Sequence, residues 1–186
     1  GLRSVDAYLE KKFPNANRIT TAGMHNARHY GLSQTTLWID QDSKKARMEQ
    51  FVELCQQSPD EGGLKGEKVM VFLNSVDDVE GASQALNRAG MNSLPYHAKI
   101  KLGERTETLE RFRTYDRDAP EDDETVPILV CTDLASRGLD LPGANPVVPL
   151  QSAGNVVSDL HRPCRGGSRG KRAGRSVRFF SDQEPE

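Results

Sequence analysis

The sequence predicts an α/β domain built on a mostly parallel sheet with helices on both faces. Short apolar runs, Val69–Leu73 and Ile128–Cys131, read as buried strands. Stretches of helical periodicity lie between such runs. Strands alternating with helices at this spacing need crossover connections, which pair the strands in parallel and cover the sheet on each side. At 186 residues the chain is long enough for one such domain plus extra segments.

Taken in order, residues 4–13 predict a short helix, with Val5, Leu9 and Phe13 on one side, stopped by Pro14 and Asn15. Residues 14–33 are poor in apolar side chains and rich in turn formers, so they read as a linker. Residues 34–40 form a strand in which Leu37 and Ile39 alternate. Residues 43–57 form an amphipathic helix, with Met48, Phe51, Val52 and Cys55 at helical spacing. Residues 58–66 are a loop and 68–73 a buried strand. Ser75 opens the next helix, and Asp78 three residues later suits a capping box. Val79, Ala82 and Leu86 form the inner stripe of that helix, and Gly90 ends it.

Residues 92–96 then make a short strand, and 104–113 a helix that packs through Leu109 and Phe112. A strand follows over 127–131. Residues 146–150 are a weaker strand, because Pro146 and Pro149 disfavour a central position. Residues 156–162 read as helical and 176–180 as a last strand. No internal repeat is visible.

Net charge is −2, so the whole molecule is not a basic nucleic-acid binder. Charge is nevertheless uneven. Residues 116–124 hold Asp116, Asp118, Glu121, Asp122, Asp123 and Glu124, the pattern of a solvated loop, whereas Arg and Lys are the only charged residues from Arg162 to Arg178. Cys55, Cys131 and Cys164 are far apart, which indicates neither a zinc site nor a disulfide framework, and a reducing intracellular compartment is the default. His25, His29 and His97 show no metal-binding spacing, and Trp38 and Tyr96 read as packing residues. No run is long and apolar enough to span a bilayer, so no membrane partner is expected, and no signal peptide is visible.

The chemistry concentrates after the 127–131 strand, in Thr132-Asp133-Leu134-Ala135-Ser136-Arg137-Gly138-Leu139-Asp140, and later in His161-Arg162-Pro163-Cys164-Arg165. Ligands of open α/β sheets bind at the carboxyl ends of strands. A carboxylate such as Asp140 can accept hydrogen bonds from both hydroxyls of a ribose. A planar guanidinium such as that of Arg137 suits carboxylates and phosphates, and Gly138 lets the chain turn where a side chain would obstruct. Thr132 brings a hydroxyl to a strand end, a donor suited to a phosphate oxygen. Asn74 and Ser75 end the 68–73 strand in the same way. Each residue also has a plainer reading: Ser75 as a helix N-cap, Arg137 as a surface ion pair, Asp140 as a loop aspartate.

The two motifs together resemble the last two motifs of DEAD-box RNA helicases, found in the second RecA-like domain. Family members carry Thr-Asp-x-x-x-Arg-Gly-x-Asp, matched by Thr132, Asp133, Arg137, Gly138 and Asp140. They then carry His-Arg-x-Gly-Arg-x-x-Arg, matched by His161, Arg162 and Arg165. Val69-Met70-Val71-Phe72-Leu73-Asn74-Ser75 resembles the strand and loop near the start of that domain, and the resemblance covers roughly residues 35–182.

It implies a RecA-like fold over residues 34–182, preceded over 1–33 by the end of another domain and a linker, and followed by a tail at 183–186. It also implies ATP as cofactor, with Mg2+ held by a first RecA-like domain, and RNA and that first domain as partners. No Gly-x-x-x-x-Gly-Lys-[Ser/Thr] occurs in the sequence, so the phosphate cradle is not among these residues. Asp140, Arg137, Gly138 and Arg162 would face the nucleotide. Arg165 and Arg169 would act as arginine fingers, with His161 at the domain interface. Thr132, Asn74, Ser75 and Arg105 would touch RNA.

The match has departures. Leu102 stands where the family has the glutamine of Gln-x-x-Arg. Ser168 stands at the third arginine of the last motif, with Arg169 one residue late, and Cys164 replaces a glycine. The loop stretch 129–135 with 139–141 is similar to plastid and organellar members that mature ribosomal RNA, so a chloroplast or other organelle is the expected compartment, ahead of nucleus or cytoplasm. A monomer is expected. Two other functions stay open: a non-catalytic RecA-like module that docks a protein, and half of a DNA-directed translocase.

Overall fold

In a computed structural model the chain divides into two units, residues 1–30 and 31–186. The structure describes residues 11–12, 32–38, 43–118, 125–136, 146–152 and 174–180. Of the first unit only Lys11 and Lys12 are described, and both are helical.

Among the described residues the second unit holds a six-stranded sheet. Its strands are β1 (Leu32–Trp38), β2 (Val69–Leu73), β3 (Ser93–Tyr96), β4 (Ile128–Thr132), β5 (Val147–Pro149) and β6 (Gly174–Phe180). Its helices are α1 (Lys44–Gln56), α2 (Val76–Arg88), α3 (Leu102–Thr114) and the single turn α4 (Asp133–Ser136). The strand order is β1-β6-β5-β2-β4-β3, and every described pairing is parallel.

Side-chain alternation explains the two layers. On β2, Val69, Val71 and Leu73 join Phe51, Val79, Leu86 and Val130 in one cluster under α1 and α2. Met70 and Phe72 point the other way, to Tyr96, Phe112, Leu129 and Cys131 under α3. Both faces are covered, so β2 and β4 are buried at every position, and they are apolar throughout except for Thr132 at the end of β4, as interior parallel strands require. Burying each such side chain is worth about 1.5–3 kcal/mol.

Helix ends follow local chemistry. The Ser43 hydroxyl accepts from the Ala46 N–H and starts α1. After α2 the chain turns through Gly90 (φ +80°), while Met91 N–H reaches Leu86 O and Gly90 N–H reaches Asn87 O. This pair of bonds closes the helix around a left-handed residue, where glycine is favoured. The stripe on α2 is the expected one, with Val79, Ala82 and Leu86 all buried. On α1 the stripe differs. Phe51 and Cys55 are buried as expected, but Leu54 and Arg47 are buried too, and Met48 and Val52 are only partly covered. Arg47 is tolerated there because its guanidinium donates to the Phe179 carbonyl at 3.1 Å, tying α1 to β6.

The weak strand is in fact an interior one. β5 lies between β6 and β2, although it ends in Pro149. Met70 N–H donates to Pro146 O and Leu150 N–H donates to Phe72 O, so the even-numbered residues of this segment face β2. Alternation turns the nitrogen of Pro149 toward β6, beyond the Val147–Ser176 pairing. The missing N–H therefore breaks no bond of the β2 ladder, and a proline can sit in the sheet interior. The helix expected over 4–13 (apart from Lys11 and Lys12), the linker expected over 14–33 and the helix expected over 156–162 lie outside the described residues, save Leu32 and Ser33, which belong to β1.

Candidate nucleic-acid interface

The carboxyl ends of four adjacent strands form one row. Leu73 pairs with Thr132, Tyr96 with Cys131, and Phe72 with Pro149. Continued past the strand ends, that register sets His97 level with Thr132, and Asn74 level with Gln151 one residue beyond, all on the same edge. Asn74 and Ser75, far in sequence from Thr132, are thus its neighbours across the junction of β2 and β4. Arg105 joins them one strand away: the loop leaving β3 leads directly to α3, and Arg105 sits in its first turn, half-buried.

Ser75 is the N-cap of α2. Its hydroxyl accepts from the Asp78 N–H at 3.1 Å and lies 2.8 Å from Asp78 Oδ2, to which it donates. This differs from the reciprocal capping box, in which the carboxylate would take the cap's main-chain N–H. Asp78 is the hub of the edge. It also accepts from Lys44 Nζ of α1 at 2.7 Å and from Gln151 Nε2 at 3.2 Å. The hydrogen bond from Lys44 is the largest influence holding its carboxyl below the ordinary carboxylate range; burial opposes it, and Ser75 and Gln151 assist. Gln151 Oε1 in turn accepts the Asn74 main-chain N–H at 2.9 Å, and Asn74 Nδ2 donates to Ser152 O at 2.7 Å. α1, α2 and the segment after β5 are therefore pinned to the strand edge by one hydrogen-bonded set.

Thr132 closes β4 and is largely covered, at 9 % exposure, whereas Asn74 and Ser75 are exposed. The Nε of Arg105 is buried and lacks a hydrogen-bond partner among the described residues. A buried guanidinium donor without an acceptor is costly, and an anion would satisfy it. Between α1 and α2 the edge holds a depression of ≈ 270 Å³ lined by Lys44, Arg47, Met48, Leu73, Asp78 and Gln151. A larger cavity, ≈ 690 Å³, opens at the opposite end of the strands, among Cys55, Leu64, Asn92, Tyr115 and Pro127. Burial pushes the Cys55 thiol up to about 12, so the cavity offers no reactive thiolate.

Of the residues singled out from sequence, Thr132, Asn74, Ser75 and Arg105 are thus brought to one edge. Arg137, Gly138, Asp140, His161, Arg162, Arg165 and Arg169 lie outside the described residues. Gln151 was not foreseen, because it follows the strand that its prolines had demoted. The His97–Glu80 pair, with Nε2 2.6 Å from Oε1, was not foreseen either. Its only trace in sequence is a histidine just past a strand. Among the described residues no group of three or more His, Cys, Asp or Glu could hold a metal ion, and no helix is long and apolar enough to cross a membrane.

Known proteins identify the family and the fold. The family of helicase conserved C-terminal domains matches residues 43–170. DEAD-box ATP-dependent RNA helicase 22 of Oryza sativa subsp. japonica is 31% identical over 164 residues, covering 87% of this chain and 26% of that protein. The pre-mRNA-splicing ATP-dependent RNA helicase PRP28 of Yarrowia lipolytica is 31% identical over 179 residues, covering 96% of this chain and 28% of its own length. The chain thus spans about a quarter of the length of the curated relatives it matches. Among solved structures, S. cerevisiae Dbp5 bound to RNA and ADP BeF3 superposes with a TM-score of 0.74 at 20% identity, over 97% of this chain and 43% of that one. The fold is RecA-like.

Proposed function

The chain belongs to the helicase conserved C-terminal domain family, in the form carried by DEAD-box RNA helicases, and on that premise we propose that it is the second half of an ATP-dependent RNA motor. In this reading the strand-end edge carries half of the RNA track. Thr132, Asn74, Ser75 and Arg105 contact the RNA backbone. Asp140, Arg137, Gly138 and Arg162 face the ribose and phosphates of ATP. Arg165 and Arg169 supply guanidinium groups to the γ-phosphate, and His161 stands at the interface with the first RecA-like domain. That partner domain holds Mg2+ and the phosphate cradle. The domain occupies residues 34–182, with the end of the preceding domain and a linker before it and a tail after it, and the whole protein works as a monomer.

The observation that supports the reading best is the row of Asn74, Ser75 and Thr132 on one edge of a domain matched to this family. The ordered motifs that begin at Thr132 and His161 supply the nucleotide side. Phosphoryl transfer loads negative charge onto the γ-phosphate oxygens, and an arginine supplied from a second domain is worth roughly 10³–10⁵ in rate. Arg165→Ala in the full-length protein is therefore expected to lower RNA-stimulated ATPase by about 10³ or more. An unchanged rate removes Arg165 from catalysis.

We further propose ribosomal RNA as the substrate and an organelle as the compartment. The loop residues of 129–135 and 139–141 support this, being similar to plastid and organellar members. Crosslinking the protein to RNA in cells should enrich ribosomal RNA precursors. Enrichment of intron-containing messenger precursors would instead align it with the splicing relatives.

A further inference from the structure

Among the described residues β3 is the outermost strand on its side of the sheet and pairs only with β4. An edge strand with one neighbour needs another anchor, and α2 provides it from one face: Glu80, Ser83 and Asn87 lie at helical spacing. Asn87 and Ser83 grip the start of the strand. Asn87 Nδ2 donates to Ser93 O at 3.1 Å, Ser93 N–H donates to Asn87 Oδ1 at 2.8 Å, and the Ser93 hydroxyl donates to Ser83 O at 3.1 Å. Glu80 grips the far end through His97.

His97 is 3 % exposed. A ring nitrogen 2.6 Å from a carboxylate carries the proton, so Nε2–H donates to Glu80. Nδ1 is buried and has no partner among the described residues. The tautomer with its proton on Nε2 leaves only a lone pair there, which costs less than a buried N–H without an acceptor. The imidazole is thus a pin rather than an exposed ligand. The turn that follows is built on the same residue: Ile100 N–H donates to His97 O at 3.2 Å, and Arg105 N–H to Lys101 O then begins α3.

We propose that His97, clamped by Glu80, is a positioning residue that orients the first turn of α3 so that Arg105 meets an RNA phosphate. This rests on the assignment of Arg105 to the RNA track. Three features support it. His97 lies level with Thr132 in the strand register. The chain from His97 to Arg105 is one short turn and the start of a helix. Arg105 is half-buried in that turn, and its Nε has no hydrogen-bond partner among the described residues.

The test is the salt dependence of affinity of the full-length protein for an oligouridylate. Each phosphate contact to single-stranded nucleic acid contributes about 0.7 to the slope of log affinity against log salt. Arg105→Ala should reduce the slope by about 0.7. His97→Leu should reduce it equally, the double variant should lose nothing more, and His97→Gln, which keeps a donor for Glu80, should restore it. Glu80→Ala, at a side chain 43 % exposed, gives the same reading should the buried leucine prevent folding. A slope that falls with Arg105→Ala but not with His97→Leu or Glu80→Ala overturns the positioning role while leaving the RNA assignment intact. So do losses that add in the double variant. A slope unmoved by Arg105→Ala overturns the RNA assignment of that arginine, and the positioning role with it.

Discussion

Asp78 shows how one side chain can serve two ends. It completes the cap of α2 with Ser75 and anchors Lys44 and Gln151 beside the strand edge. Losing an N-cap hydroxyl typically costs about 1 kcal/mol. Ser75→Ala should therefore lower unfolding free energy by about that amount in urea titration at pH 7. The charge of Asp78 adds a pH dependence. Its folded-state pKa lies below the ordinary value, chiefly through Lys44. Its contribution is thus complete above the ordinary carboxylate pKa of about 4 and disappears as pH falls through the depressed value. The stability gap between wild type and Asp78→Asn should shrink on acidification below about pH 4. A gap of equal size at both ends would mean that the carboxylate is not anchored by charge. The Ser75 cap was legible in sequence, because a serine three residues before an acid is a local signal. Gln151 was not, since a hydrogen bond across 77 residues leaves no local trace.

At the scale of elements, two glycines in the turns that follow α1 and α2 carry different constraints. Gly90 adopts φ +80° with open space around an added Cβ, so Gly90→Ala should cost about 1–2 kcal/mol, from backbone strain alone. At Gly63 an added Cβ would lie 2.2 Å from Gln57 O, in a turn where Lys65 N–H also donates to that carbonyl. The obstacle is main chain and cannot rotate away. Gly63→Ala should therefore be the more destabilising of the two in chemical denaturation, and the reverse order would show that the turn relaxes freely. The apolar strands and the stripe of α2 were legible because periodicity reports burial. Arg47 on the inner side of α1 was not legible, because its burial depends on a carbonyl of β6 more than a hundred residues away. The interior place of β5 was hidden for a similar reason. Proline forbids only the bond it would have made, and which neighbour loses it depends on strand parity.

For the molecule as a whole, the RecA-like reading leads to a sharp expectation. Residues 1–186 contain no phosphate-cradle motif, so the isolated chain should hydrolyse no ATP, with or without RNA. It should bind single-stranded RNA weakly, with affinity falling as salt rises, because phosphate contacts release counterions. RNA-stimulated ATPase from the purified chain would overturn that view, and salt-independent binding would remove the phosphate contacts.

The sequence by itself determined the strand–helix alternation, the caps, the parallel sheet and the order of the motifs, because these follow from periodicity and short-range chemistry. Only the tertiary structure decided that β5 is interior, that Gln151 and Asp78 lock the edge, and that Glu80 pins His97 beside Thr132. Those facts depend on which strands become neighbours, and strand adjacency is set by packing the whole sheet rather than by any one segment of it.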